Sequence, residues 1–221
     1  MDLDRIGATG GESAAGVAFD GAALTWDEEP RRVRLARAVS IALAREVPMT
    51  PRMAALEYGC GTGLVTQALA PRLGRITAVD SSAGMLAVLE RKVVERGMKN
   101  VRPLLLDLSA ESPPPGRYDL IFSSMTLHHI RDVRSLLGLF YGLLRPGGYL
   151  AVADLDKEDG TFHGGREVEH HGFERGEFLK ILSASGFTDG RALTAHLLRR
   201  EAPGGGVREY PVFIAVGRRG G

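Results

Sequence analysis

Cysteine is the scarcest chemically informative residue of this chain: Cys60 stands alone among 221 residues. An internal disulfide is therefore excluded, and so is a zinc site built from cysteines. A surplus of either charge is also missing. Lys and Arg number 28 against 27 Asp and Glu, a formal net charge of +1, so no global field draws in nucleic acid or an acidic membrane. Hydrophobic residues make up 44% of the chain, yet no apolar run approaches the roughly 20 residues that span a bilayer. The opening "MDLDRIGATGGESAAG" is acidic and glycine-rich, without the basic-then-apolar order of a secretory signal. A cytoplasmic protein is the expectation, with enough apolar side chains for a core. No G-K-[ST] phosphate loop occurs, which disfavours nucleoside triphosphates.

What is present reads as a single domain over 1–221. It divides into a mobile Gly/Ala/Ser-rich segment (1–20), a helical cap (21–47) and a sheet core (52–221). In the cap, "WDEEPRRVRLARAVSIALAREV" carries apolar residues at helical spacing, with Asp27 as the expected N-cap and Pro30 in the first turn. Arg31, Arg34 and Arg37 form a stripe that either faces solvent or meets an anionic substrate. Beyond Pro51, strand-like apolar runs at 53–59, 75–80, 101–108, 118–125 and 148–156 alternate with predicted helices at 63–72, 84–97 and 132–144. Strands that are apolar throughout and separated by helices argue for an α/β fold with a parallel sheet covered on both faces. "FERGEFLKILSASGF" predicts a further helix. Two strands follow, 191–200 and 207–219, joined as a hairpin by "PGGG".

The stretch "LEYGCGTG" places Gly59, Gly61 and Gly63 between the first strand and the first crossover helix. In a chain with 29 glycines, a G-x-G triplet is uninformative by itself. Its position is informative, because ligands of open α/β sheets bind beyond the carboxyl ends of the strands. Glycine there lets the backbone approach a ligand closely. Acids end the first three strands: Glu57, Asp80 and Asp107. Asp80, 21 residues beyond Gly59, suits ribose hydroxyls, and Asp107 suits an adenine amino group. A tight turn accompanied by surface acids is the alternative. A dinucleotide would want a third glycine at Leu64 or Thr66, and Glu57 and Asp107 sit badly beside phosphates. They suit an ammonium and a sulfonium, as S-adenosyl-L-methionine carries.

In order across roughly residues 52–156, "LEYGCGTG", "AVDSSAGML", "LLLDLSA", "YDLIFSSMTLHHI" and "LLRPGGYLAVAD" resemble the successive motifs of class I S-adenosylmethionine-dependent methyltransferases. The likeness is to the "type 11" group, similar to ubiquinone/menaquinone-pathway methyltransferases. It implies a Rossmann-like, seven-stranded, mostly parallel sheet with a C-terminal antiparallel hairpin strand and helices on both faces. It also implies a cofactor pocket formed by Glu57, Gly59, Cys60, Gly61, Gly63, Asp80, Ser81, Met85, Asp107, Leu108 and Ser123, with S-adenosyl-L-homocysteine as product. Asp80 would bind the ribose hydroxyls, Met85 would pack on adenine and Asp107 would face its amino group. "SSMT" lacks the Asp/Asn-Pro-Pro-aromatic pattern of base-amino methyltransferases, and one cysteine is too few for an arsenite methyltransferase. A small organic acceptor, methylated on oxygen, carbon or nitrogen, is the expected partner of a monomer or homodimer. A non-catalytic cofactor-binding protein and an RNA methyltransferase are the rival readings.

Histidines supply the expected acceptor chemistry. A hydroxyl or acidic carbon needs a base, and histidine titrates near ~6.5 when unperturbed. His163, His170 and His171 follow the fifth strand and are the catalytic candidates; solvent-facing or capping roles compete. A divalent-ion site joining them to Glu169 or Asp154 is the lesser alternative, and no metal is assigned. His128, after the fourth strand, is a candidate for substrate binding. Trp26, the single tryptophan, reads either as an anchor for the N-terminal helix or as a lid on the cofactor.

Overall fold

The computed structural model describes residues 19–108, 111–164, 167–201 and 205–221. The segment expected to be mobile (1–20) lies outside the described residues apart from Phe19 and Asp20, as does part of the "PGGG" turn. The strands are β1 (Ala54–Tyr58), β2 (Arg75–Asp80), β3 (Val101–Leu105), β4 (Tyr118–Ser124), β5 (Leu144–Leu155), β6 (Phe187–Glu201) and β7 (Val207–Arg219). They form one seven-stranded sheet in the order β3-β2-β1-β4-β5-β7-β6. β1 to β5 run parallel, and β7 runs antiparallel between β5 and β6. The helices are α1 (Pro30–Glu46), α2 (Leu64–Leu69), α3 (Ala83–Glu95), α4 (Val133–Leu143) and α5 (Arg175–Ala184). Among the described residues, no helix is long and apolar enough to cross a membrane.

The continuous apolar runs have a direct cause. Side chains of a strand alternate between faces, and this sheet is covered on both. Ala55, Ile76, Leu120 and Phe122 join one core with Val39 and Leu43 of α1, Leu69 of α2 and Leu89 of α3. Leu56, Tyr58, Ile121 and Val152 join the opposite core with Leu137 and Phe140 of α4 and Leu182 of α5. All five residues of β1 are buried. Each fully buried Leu, Ile or Phe contributes roughly 1.5–3 kcal/mol, so the middle of the sheet is the most firmly held part of the molecule.

Element ends differ from expectation where tertiary contacts intervene. β5 begins at Leu144 rather than at 148, because the chain passes straight from α4 into pairing with Tyr118, and the register shifts before Leu120. β3 stops at Leu105 rather than 108, where Leu106 N–H turns to the carbonyl of Asp80 (3.0 Å). Asp27 is not the N-cap of α1. It sits in a 3-10 turn, Ala23–Glu28, with its carboxylate spent on Lys92 and Thr62. Glu29 caps the helix, accepting the backbone N–H of Arg31 at 3.2 Å. Glu29 also pairs with the Arg31 guanidinium (2.9 Å), while Arg34 and Arg37 are exposed.

Gly63 is the N-cap of α2 at a left-handed φ of 79°, and a Cβ there would overlap the Leu89 side chain. Gly63→Ala is expected to lower folding stability by about 1–3 kcal/mol through backbone strain and overpacking. Urea denaturation reads this directly; an unchanged midpoint at unchanged slope would mean that the loop relaxes around a methyl group.

Candidate active site

A cleft of about 740 Å³ opens beyond the carboxyl ends of β1, β2 and β4. Its floor is the turn after β1. Gly59, Gly61 and Gly63 all have positive φ there (71°, 53° and 79°), but for different reasons. A Cβ on Gly59 would overlap Thr126 and one on Gly63 would overlap Leu89, whereas one on Gly61 would meet no atom within 4 Å. Gly61 is thus the position where the backbone borders open cleft. Its N–H donates to Asp80 at 2.7 Å, and Ser82 N–H donates to the same carboxylate at 2.9 Å.

The cleft's opposite wall comes from the N-terminal cap. Asp20 accepts the Ser82 hydroxyl (2.5 Å) and Gly84 N–H (2.8 Å). Asp27 accepts the Thr62 hydroxyl (2.6 Å) and pairs with Lys92. These two carboxylates tie the segment down and leave Phe19 and Trp26 edge-to-face at 5.9 Å, both lining the cleft. Phe19 also packs against His129 at 5.5 Å, and Arg32 stacks on Trp26.

Of the expected cofactor residues, Glu57, Gly59, Cys60, Gly61, Asp80, Ser81, Met85, Asp107, Leu108 and Trp26 line this one cleft. Gly63 and Ser123 do not; they lie beneath it. Gly63 packs on Leu89, and the buried Ser123 hydroxyl donates to Tyr58 O at 2.8 Å. The histidines are sorted differently from expectation. His128 is buried, its Nδ1 2.6 Å from Asp154 Oδ1. His163 rests against the rings of His128 (5.0 Å) and His129 (5.6 Å). Nε2 of His170 donates to the carbonyl of Ile130 at 2.9 Å, and His171 faces Glu158 at 3.5 Å. None of these four lines the cleft, whereas His129 does. The reason is local. Leu127–His129 is a 3-10 turn, in which successive side chains point about 120° apart, so neighbouring histidines face core and cleft. Among the described residues, no group of three or more His, Cys, Asp or Glu is arranged to hold a metal ion.

Residues 55–148, which include the whole glycine turn, match a family model described as a methyltransferase domain. Over that stretch the chain is similar to a methyltransferase domain. An uncharacterized methyltransferase of Schizosaccharomyces pombe is 33% identical over 135 residues, 54% of this chain and 48% of the relative. A ubiquinone biosynthesis O-methyltransferase of Marinobacter nauticus is 29% identical over 110 residues, 49% of this chain and 46% of the relative. The chain thus spans about half the length of these relatives. The solved phosphoethanolamine N-methyltransferase 2 of Haemonchus contortus, in complex with S-adenosyl-L-methionine, superposes with a TM-score of 0.68. Its identity is 17%, and the match covers 82% of this chain and 52% of that one. At that identity the likeness concerns the fold, which is the Rossmann-like fold expected from the sequence.

Electrostatically, the domain's cleft holds groups at odds with their surroundings. Burial pushes the Glu57 carboxyl up to about 8; the Thr66 hydroxyl that donates to it opposes this, and nearby Asp80 adds to it. Burial likewise raises Asp80, against the pull of the Ser82 and Gly61 N–H groups. His129 is held down to about 4, by burial first and then by the imidazoles of His128 and His163. The Cys60 thiol is pushed well above its usual range by burial, which leaves it an unreactive part of the core. Phe19, Arg32, Thr62 and His129 were not among the expected site residues. Of these, only His129 had a signal in the sequence, as the second member of the "HH" pair.

Glu57 gives a pH-dependent expectation. Its folded value of about 8 lies above the ordinary 4.5, so the folded chain keeps a proton that the unfolded chain has lost. The associated stability is complete below about pH 4 and is lost as pH rises through 8. Glu57→Gln, which is neutral throughout, should therefore stabilise the unliganded protein by about 2–4 kcal/mol at pH 8 and by little at pH 5. Denaturation at both pH values tests this; equal gains would mean that Glu57 is ionised in the folded state at both.

Proposed function

We propose that the protein transfers a methyl group from S-adenosyl-L-methionine to a small organic acceptor and releases S-adenosyl-L-homocysteine. The observation that carries this reading is the convergence, at one cleft, of Gly61 beside open space with Glu57, Asp80 and Asp107 from three strand ends. The residues fit the cofactor by their chemistry. A buried carboxyl at the Glu57 position is uncomfortable without a cation, and an ammonium would restore its ionised form. Asp80 would accept ribose hydroxyls, and Asp107 the adenine amino group. Met85 and Leu108 offer apolar surface to the base. When bound, the cofactor supplies a methyl group already activated on a sulfonium.

The chain's own work is then to align the acceptor, exclude water and manage a proton. Phe19 and Trp26 cover the cleft from the cap. We assign the proton to His129 in place of His163, His170 and His171, because it lines the cleft and they do not. Held down to about 4, its imidazole is neutral at pH 7 and can accept a proton. A base this weak favours an acceptor with an acidic O–H over an aliphatic alcohol. His128, bonded to buried Asp154, supports the ring of His129 at 4.1 Å. The same reading takes the chain as one domain acting on a small molecule.

Asp80→Ala should weaken S-adenosyl-L-methionine binding by about 1.5–3 kcal/mol, since neutral hydroxyls lose a charged acceptor. Calorimetry that finds unchanged affinity in a folded variant would remove Asp80 from the cofactor site. With S-adenosyl-L-homocysteine release from a metabolite extract as the assay, His129→Ala should lower kcat by roughly 10²–10⁴ at unchanged cofactor affinity. His170→Ala and His171→Ala should retain most activity. The wild-type rate should be level above about pH 5, as His129 is deprotonated there. Tight cofactor binding without release from any extract would favour the rival, non-catalytic reading.

A further inference from the structure

Among the described residues, those of the segment 19–28 that roofs the cleft belong to neither of the two large cores. Phe19, Ala23 and Trp26 instead form a small cluster of their own with Met85 and Val88 of α3. A segment with so little apolar burial opens at low free-energy cost unless polar contacts hold it. Two carboxylates do so. Asp20 is bound at the start of α3, and Asp27 pairs with Lys92 further along the same helix. Lys92 is the unusual partner. It is only 9% exposed, and lysine is almost never buried unless paired. Its ammonium donates to Asp27 and to the carbonyl of Thr62 (2.8 Å), while the Thr62 hydroxyl donates to Asp27 (2.6 Å). The three residues close a ring of hydrogen bonds that joins the cap, the glycine turn and α3. Lys92 does not line the cleft, but Thr62 does, and Asp27 follows Trp26, which also does. An ion pair at so buried a lysine adds less stability than apolar side chains of the same size. What it supplies here is a fixed spacing between the roof of the cleft and its floor.

We propose that Lys92 is a positioning residue of the cofactor site: acting through Asp27 and Thr62, it pins the roof of Phe19 and Trp26 over the glycine turn and so sets how long the cofactor stays bound. This rests on the methyltransferase reading above. A ligand beneath the roof leaves when the segment moves away from α3, so the fraction of open molecules scales the dissociation rate. Removing the ammonium raises that fraction without taking away any group that touches the ligand.

Stopped-flow binding of S-adenosyl-L-homocysteine to wild type, Lys92→Met, Asp27→Asn and the double variant tests this, with circular dichroism confirming that each is folded. Trp26, the single tryptophan, reports on the roof itself through acrylamide quenching of its fluorescence in the unliganded protein. Lys92→Met should speed dissociation about 10- to 100-fold, the shift that losing a hydrogen bond between charged groups makes in a two-state equilibrium. The association rate should be unchanged or higher, and Trp26 should become more accessible to acrylamide. Asp27→Asn should do the same in smaller measure, because Thr62 keeps an acceptor. The double variant should release ligand no faster than Lys92→Met alone, since both substitutions break one interaction. If Lys92→Met does not fold, Asp27→Asn decides on the same two readouts. The proposal is overturned if folded Lys92→Met keeps wild-type dissociation and quenching. It is overturned too if the two substitutions add, which would make each an independent contributor to stability. Either result, with wild-type binding intact, leaves the methyltransferase reading standing. Wild-type protein that does not bind S-adenosyl-L-homocysteine would instead bring down that reading, and this proposal with it.

Discussion

The carbonyl of Val79 in β2 accepts the N–H groups of both Gly59 (2.9 Å) and Cys60 (3.0 Å), and these two bonds set the course of the chain as it leaves β1. β1 lies between β2 and β4, so its exit is hemmed in on both sides. On the β4 side the Thr126 side chain occupies the space that a Cβ of Gly59 would need. The chain can turn only with positive φ, and it does so three times before α2 begins. That course delivers Gly61 N–H to Asp80 and leaves Glu57 buried beneath the turn. The site geometry is a consequence of packing the centre of a parallel sheet.

Several groups of the cleft sit where burial opposes their charge, and this bears on both stability and function. Glu57 and Asp80 are raised by burial, His129 is lowered by it, and Arg32 lacks an acidic partner among the described residues. Burying the two carboxyls and the guanidinium costs folding free energy, which a well-packed two-sided core can absorb, whereas His129 is neutral near pH 7 and adds little. Those three would each gain from a ligand of complementary charge, so the same groups that weaken the unliganded fold would strengthen the complex. The acids come from the strand ends and Arg32 from α1, so acidic and basic groups enter the cleft from different elements. The N-terminal cap joins those elements through Asp20 and Asp27, both anchored on residues of the turn after β1 or at α3.

Much of this was legible in the sequence. Runs such as those at 75–80 and 118–125 are apolar on both faces of a strand, a pattern that only a doubly covered sheet rewards. Acids at the ends of three such runs mark the ligand edge, and ten of the twelve residues read as cofactor contacts line one cleft. The two others, Gly63 and Ser123, sit one layer below, where a glycine or serine in a motif looks the same whether it faces a ligand or a neighbouring side chain.

The remainder was decided by tertiary structure. Asp27 has the residue type and position of an N-cap, but Lys92, 65 residues away, competes for its carboxylate, and a charged partner outweighs a backbone N–H. Adjacent histidines are indistinguishable in sequence, yet a 3-10 turn sends His128 inward to Asp154 and His129 to the cleft. Arg32 differs from Arg31 only in which neighbour it meets, Trp26 rather than Glu29. By itself the sequence determined the sheet, its ligand edge and the acids along that edge, because hydrophobic periodicity and strand-end position are local properties. Which histidine and which arginine face the cleft depends on side-chain direction and long-range pairing, and those exist only once the chain is folded.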